Sequence, residues 1–170
     1  MNLLFDFTVD KAAKTIFITR EFAADLDLVW DAFTKAEILD QWTAPKPWRA
    51  RTKEMDFREG GRWIYTMVAP ESASSGSASN YSLVEFIKID PKTSFSTRNS
   101  FSDENGNTTS KDFSLVKNSF KEDGETTTVH IEKKFDDLAT LERLITMGFK
   151  EGMSAGLDNL DEYLLNKTNQ

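Results

Sequence analysis

Cysteine is absent from the 170-residue chain. Disulfides, thiolate metal sites and cysteine nucleophiles are excluded together, and the absence fits a reducing compartment. Histidine is almost absent too. His130 stands alone, without the second imidazole or thiolate that a zinc site requires, and any Ser-His-Asp arrangement would have to use it. It lies between Val129 and Ile131 and reads as a surface-facing strand residue. Positive charge is in deficit, with 21 Lys and Arg against 28 Asp and Glu, a net charge of −7. Nucleic acids and anionic membranes, which select basic patches, are disfavoured as partners. No apolar run approaches the roughly 20 residues of a membrane span. The opening Met1 to Asp6 lacks the basic start of a secretory signal. A cytoplasmic protein is the expectation. Sequence motifs for cofactor chemistry are missing as well. Gly60-Gly61 lacks the rest of a Rossmann or Walker loop, there is no Gly-x-Ser-x-Gly elbow, and Asp103 to Asn107 lacks the spacing of a calcium loop. No cofactor and no metal are expected.

What the chain does hold is core material: 39% hydrophobic residues and thirteen Phe, enough for one domain spanning 1–170. Its last thirty residues, Asp137 to Asn166, read as one long helix, with Leu141, Ile145, Phe149, Met153, Leu160 and Leu164 forming an apolar stripe. Gly148, Gly152 and Gly156 run along that stripe. Each costs a helix about 1 kcal/mol relative to alanine, roughly 3 kcal/mol together. Either a closely packed neighbour offsets that cost, or the stripe is hollowed to admit a ligand.

Upstream, Leu4–Val9 and Thr15–Phe22 form a hairpin, the second strand being the firmer. Asp25 caps a short helix that buries Leu26, Val29, Trp30 and Phe33. Thr34 is placed to cap a second, with Ile38, Leu39 and Trp42 inward, stopped by Pro45 and Pro47. From Trp48 the period changes to two. Strands are expected over Trp48–Phe57, Arg62–Val68, Tyr81–Ile89, Thr93–Phe101, Asp112–Phe120 and Thr126–Phe135, with a mobile polar connection from Ala69 to Asn80. The expected fold is α+β: a curved antiparallel sheet of about six to seven strands on a long C-terminal helix, with two short helices after the first strand.

Chemistry then rests on apolar lining. Trp63, Tyr65 and Met67 share one face of their strand, Met55 and Phe57 one face of the preceding strand. With Phe149, Gly152 and Met153 of the helix they form either plain core or the wall of a ligand pocket. Arg49, Arg51 and Lys53 continue the parity of Met55 and stand either at the pocket mouth or in solvent. The Tyr81–Ile89 strand is apolar on both parities, so its inward face is undecided.

Five segments recur in one order in a known family: Ile18-Thr-Arg-Glu-Phe, Val29-Trp-Asp-Ala-Phe-Thr, Gln41-Trp-Thr-Ala-Pro-Lys-Pro-Trp48, Met55-Asp-Phe-Arg-Glu-Gly-Gly-Arg-Trp63 and Met147-Gly-Phe-Lys-Glu-Gly-Met153. Over about residues 8–165 the chain resembles the START-like (SRPBCC, Bet v 1-like) superfamily, and within it bacterial relatives of the C-terminal domain of the activator of heat-shock-protein-90 ATPase. The resemblance implies a helix-grip fold around an apolar cavity, and it transfers no catalytic residue. Thr43, where many members have a second Trp, and the Ser/Ala-rich connection depart from the pattern at the expected rim. Three functions follow as expectations. The first is a module binding an apolar or amphipathic small molecule. The second is a co-chaperone-like domain with a chaperone partner of the heat-shock-protein-90 type. The third is an enzyme of the cyclase or hydrolase type, in which Tyr65 would supply the polar group.

Overall fold

A computed structural model of the chain describes residues 3–70 and 80–168. The elements follow as β1 (Phe5–Asp10), β2 (Thr15–Phe22), α1 (Leu26–Thr34), α2 (Ala36–Trp42), β3 (Arg49–Met55), β4 (Arg62–Val68), β5 (Tyr81–Asp90), β6 (Ser94–Ser102), β7 (Thr108–Asp123), β8 (Thr126–Phe135), α3 (Leu138–Thr146) and α4 (Phe149–Thr168). Eight strands make one antiparallel sheet in the order β1-β2-β8-β7-β6-β5-β4-β3. The count exceeds the expected six to seven because β1 pairs along its whole length with β2. The two short helices follow β2, not the first strand, and carry the chain from beside one edge of the sheet to the opposite edge at β3. The Ser/Ala-rich connection expected to be mobile lies, over residues 71–79, outside the described residues.

Capping chemistry sets the helix starts. Asp25 accepts a hydrogen bond from the Leu28 amide at 2.9 Å, and Asp137 accepts one from Ala139 at 2.9 Å. Thr34 does not cap α2. It is the last residue of α1, and its hydroxyl donates back to the Trp30 carbonyl at 2.8 Å.

Helix α1 lays Val29, Trp30 and Phe33 on the concave face, where they meet side chains from β5, β6, β7 and the β3–β4 turn. Trp30 stands edge-on to Phe57, Phe95 and Phe120 at 5.1–6.0 Å, and Phe57 packs on Phe86 at 4.9 Å. Edge-to-face aromatic pairs of this kind add about 0.5–1.5 kcal/mol each beyond their burial.

The parity of β5 is resolved by a bulge. Its register to β6 shifts between Phe86 and Lys88, which lets Val84, Phe86 and Ile89 all contribute to the main core. The opposite parity is not wasted: Tyr81 and Leu83 bury against Ile64 in a small second cluster on the convex side.

The C-terminal stripe is two helices, not one. Gly148 has φ +94°, the left-handed conformation that ends a helix, and the Met147 amide closes α3 onto the Arg143 carbonyl at 3.0 Å. Helix α3 is tied to the sheet by Arg143, whose guanidinium donates to Asp112 at 2.7 Å. Helix α4 restarts at Phe149 and buries Leu157, Leu160 and Leu164 against α1, α2 and β2. Among its glycines only Gly156 is held by close packing: a Cβ there would lie 3.2 Å from the carbonyl oxygens of both Trp42 and Thr43.

Candidate functional site

Away from the aromatic cluster under α1, the concave face changes character. Alternation along β4 turns Trp63, Tyr65 and Met67 inward, and the two rings stack at 4.1 Å with 19° between planes. Trp63 is well buried. Its indole donates to Thr52 Oγ1 at 3.0 Å, and Thr52 donates in turn to Asp40 at 2.6 Å, so a polar relay from β3 to α2 fixes the ring. Tyr65 is partly exposed. Burial of the hydroxyl pushes its pKa above the ordinary phenol value, with a hydrogen bond to Ser82 acting the other way. Met67, 41% exposed, stands at the open edge beside the end of the sheet.

On α4, Phe149 and Met153 are partly buried against the core, and Phe149 approaches Phe7 of β1 at 6.2 Å. Gly152 lies between them on the chain. A Cβ there would meet no atom within 4 Å. Phe57 is instead part of the aromatic cluster under α1, and Met55 packs partly buried at its edge, paired with Trp63. The structure therefore sets Phe57 in the aromatic cluster under α1, Phe149 beside Phe7 of β1 and Lys133 of β8, and Tyr65 against Trp63 on β4, with Met67 exposed beyond it.

The basic trio of β3 faces away. A bulge between Thr52 and Glu54 breaks the parity, so Arg49, Arg51 and Lys53 are exposed on the outer side, where Lys53 lies 3.8 Å from Glu104. His130 is also on the outer side, its Nδ1 2.8 Å from the Thr19 hydroxyl. A shallow depression of about 430 Å³ beside it, lined by Ser119, Lys121, Asp123 and Thr128, contains none of the candidate residues. No group of three or more His, Cys, Asp or Glu residues capable of holding a metal occurs among the described residues. No described helix is long and apolar enough to cross a membrane.

Reasoning from sequence missed the most unusual group on this face, Lys133. It follows Val129 and Ile131 at strand spacing and precedes Phe135, so the same alternation that sends His130 outward sends Lys133 inward. Its ammonium donates to Ser114 Oγ at 2.8 Å and lies 5.7 Å from the centres of both the Phe135 and Phe149 rings. Desolvation pushes its pKa down to about 8, because burial penalises the charged form and no carboxylate compensates. The neighbours across the strands extend the polar patch: Asn99 pairs with Ser114, and Thr97 pairs with Val116, which pairs with Lys133. Polar side chains thus cross the floor of an otherwise apolar sheet.

A curved antiparallel sheet closed over a C-terminal helix, with two short helices inserted after the first hairpin, is the helix-grip arrangement of START-like proteins. The chain belongs to the Activator of Hsp90 ATPase homolog 1-like protein family, whose model matches residues 23–165. Among solved structures it is similar to a Mycobacterium smegmatis protein at 26% identity, covering 96% of this chain and 97% of that one with a TM-score of 0.83. A Staphylococcus epidermidis protein is 27% identical over 94% of both chains, with a TM-score of 0.78. An Arthrobacter aurescens protein, 23% identical over 95% of this chain and 91% of its own, shares the fold with a TM-score of 0.84. Among curated proteins none matches. Family and fold support, in general terms, a ligand-binding or co-chaperone-like domain.

Proposed function

We propose that the chain is a single-domain, cytoplasmic binding module that holds an apolar or amphipathic small molecule between the sheet and α4. Tyr65, Met67, Phe149, Gly152 and Met153 form the wall, and Trp63, Phe57 and Met55 form its packed backing. The observation that carries this reading is the unfilled space at Gly152. One turn away at Gly156, the missing side chain is explained by backbone carbonyls at contact distance; at Gly152 no such neighbour exists. Gly152, in the first turn of α4, packs against no neighbour, and room for a ligand accounts for the missing side chain. Met and aromatic walls suit such a ligand because they adapt to its shape.

The test is native mass spectrometry of the protein purified from its own cells, followed by solvent extraction of whatever accompanies it. A reproducible extra mass, released on unfolding, is expected and identifies the ligand class. An unaccompanied chain in every preparation would remove the support for a stable carrier.

The family match favours a second reading, a co-chaperone-like role on an ATPase of the heat-shock-protein-90 type. It predicts that the protein raises the chaperone's ATPase rate. An unchanged rate at saturating protein would dismiss it.

A further inference from the structure

The polar patch on the floor carries an excess of hydrogen-bond donors. An ammonium has three donors and no acceptor. Among the described residues, Lys133 Nζ uses one, on Ser114 Oγ, and no carboxylate lies within ion-pair distance of it. Asn99 has committed only its oxygen, which accepts from the Thr97 hydroxyl at 2.6 Å; its amide NH₂ donates to no described protein atom. Ser114 sits directly across the strands from Asn99 and is itself buried, so the two free donors flank one buried hydroxyl. Asn99 on β6 is directly opposite Ser114, with Cβ atoms about 5 Å apart, and the Lys133 side chain reaches the same hydroxyl from β8 on the other side, so a carboxylate seated over Ser114 faces both donors.

A desolvated cation surrounded by donors and apolar rings is costly unless an anion or acceptor completes it. Its surroundings specify what else that molecule must be. Phe149 and Phe135 flank the ammonium, so the atoms attached to the anion meet an apolar surface.

We propose that Lys133 and Asn99 are the head-group anchor of the site and that its ligands are amphipathic monocarboxylates, with the carboxylate on these two donors and the apolar body along Phe149 toward the space at Gly152. This inference rests on the binding reading above and adds the chemical class of the ligand. Charge-assisted hydrogen bonds to a buried anion are among the stronger single contacts a binding site makes, so discrimination between an acid and its neutral ester follows directly.

The experiment is calorimetric titration at pH 7 of the full chain with straight-chain carboxylates of six to fourteen carbons and with 1-naphthoate, each beside its methyl ester. The wild type is expected to bind at least one acid about tenfold or more tightly than its ester. Lys133→Met should bind acid and ester alike, at the affinity the wild type shows for the ester. Lys133→Arg, which keeps the charge, should retain part of the preference. Equal binding of acid and ester by the wild type, or a preference that survives in Lys133→Met, overturns the anchor and leaves the binding module intact. Failure of the folded wild type to bind any acid or ester overturns both.

Discussion

Gly152 and Gly156 are one helical turn apart on α4, and they meet different surroundings. At Gly156 the helix lies against the end of α2, and a single added carbon would press on two carbonyl oxygens at 3.2 Å. Around Gly152 the same helix faces space. The sheet beneath repeats the contrast. Under α1 it presents Phe86, Phe95 and Phe120, locked edge-on with Trp30 and Phe57. Beside Phe149 it presents Lys133, with Ser114 and Asn99 on the next two strands. One half was built to hold the fold together and the other tolerates groups that a core would reject. Stability and binding are thereby separable by mutation, which single-site measurements can break or sharpen.

The largest effect should come from the packed half. Phe120→Ala removes a ring in contact with Trp30, Phe33 and Phe95 and should lower the unfolding free energy by about 3–5 kcal/mol in urea. Gly156→Leu comes next, about 2–3 kcal/mol destabilising, since backbone carbonyls cannot move aside as side-chain ends do. Gly152→Leu should stay within about 1 kcal/mol of the wild type, the cost of ordering one leucine being offset by the better helix propensity. Near-equal stabilities for the two glycine variants would erase the contrast.

Lys133→Met should stabilise the protein at pH 7, by ~1–3 kcal/mol, because the wild type must there keep a desolvated amine charged. The sign follows from a folded-state pKa of about 8, below the ordinary lysine value. The unfolded chain binds the extra proton between those two values, so wild-type stability rises with pH across that window. The advantage of Lys133→Met should accordingly shrink from about pH 8 upward and vanish near pH 10.5. A gain independent of pH would mean that the amine is solvated.

The smallest effect is expected at Asp112. Hydrogen bonds from Arg143 and Thr140 hold its carboxyl below the usual range, so the tie between β7 and α3 contributes at neutral pH and weakens as acid protonates the carboxylate. Asp112→Asn should show a flatter acid limb in a stability–pH profile, with little change elsewhere.

Much of this architecture was legible in the residues. Period-two alternation from Trp48 onward marked the strands, Asp25 marked the start of the first helix, and the five family segments named the fold. The illegible parts share a physical cause: local irregularity that shifts a pattern by one residue. Bulges in β3 and β5 reversed the parity, moving Arg49, Arg51 and Lys53 outward and letting Phe86 and Ile89 face the same way. Gly148 carried no sign that it would adopt a left-handed φ and divide the C-terminal stripe in two. Lys133 was legible and overlooked. The alternation through Val129, Ile131 and Phe135 places it inside, but a lysine near the end of a strand is ordinarily read as solvated. The candidate wall, by contrast, needed coordinates. Sequence marks Phe57 and Phe149 alike as apolar and inward, and only packing separates the one locked among three rings from the one beside Phe7 and Lys133.

The measurement that bears most directly on the central claim is a paired titration of wild type and Gly152→Leu with 1-anilinonaphthalene-8-sulfonate, following probe fluorescence beside the urea midpoint of each protein. Saturable, blue-shifted binding by the wild type that is lost in the variant, at an unchanged midpoint, is the predicted result. Equal binding by both, with the leucine accommodated at no cost to the probe, would contradict a ligand site at Gly152.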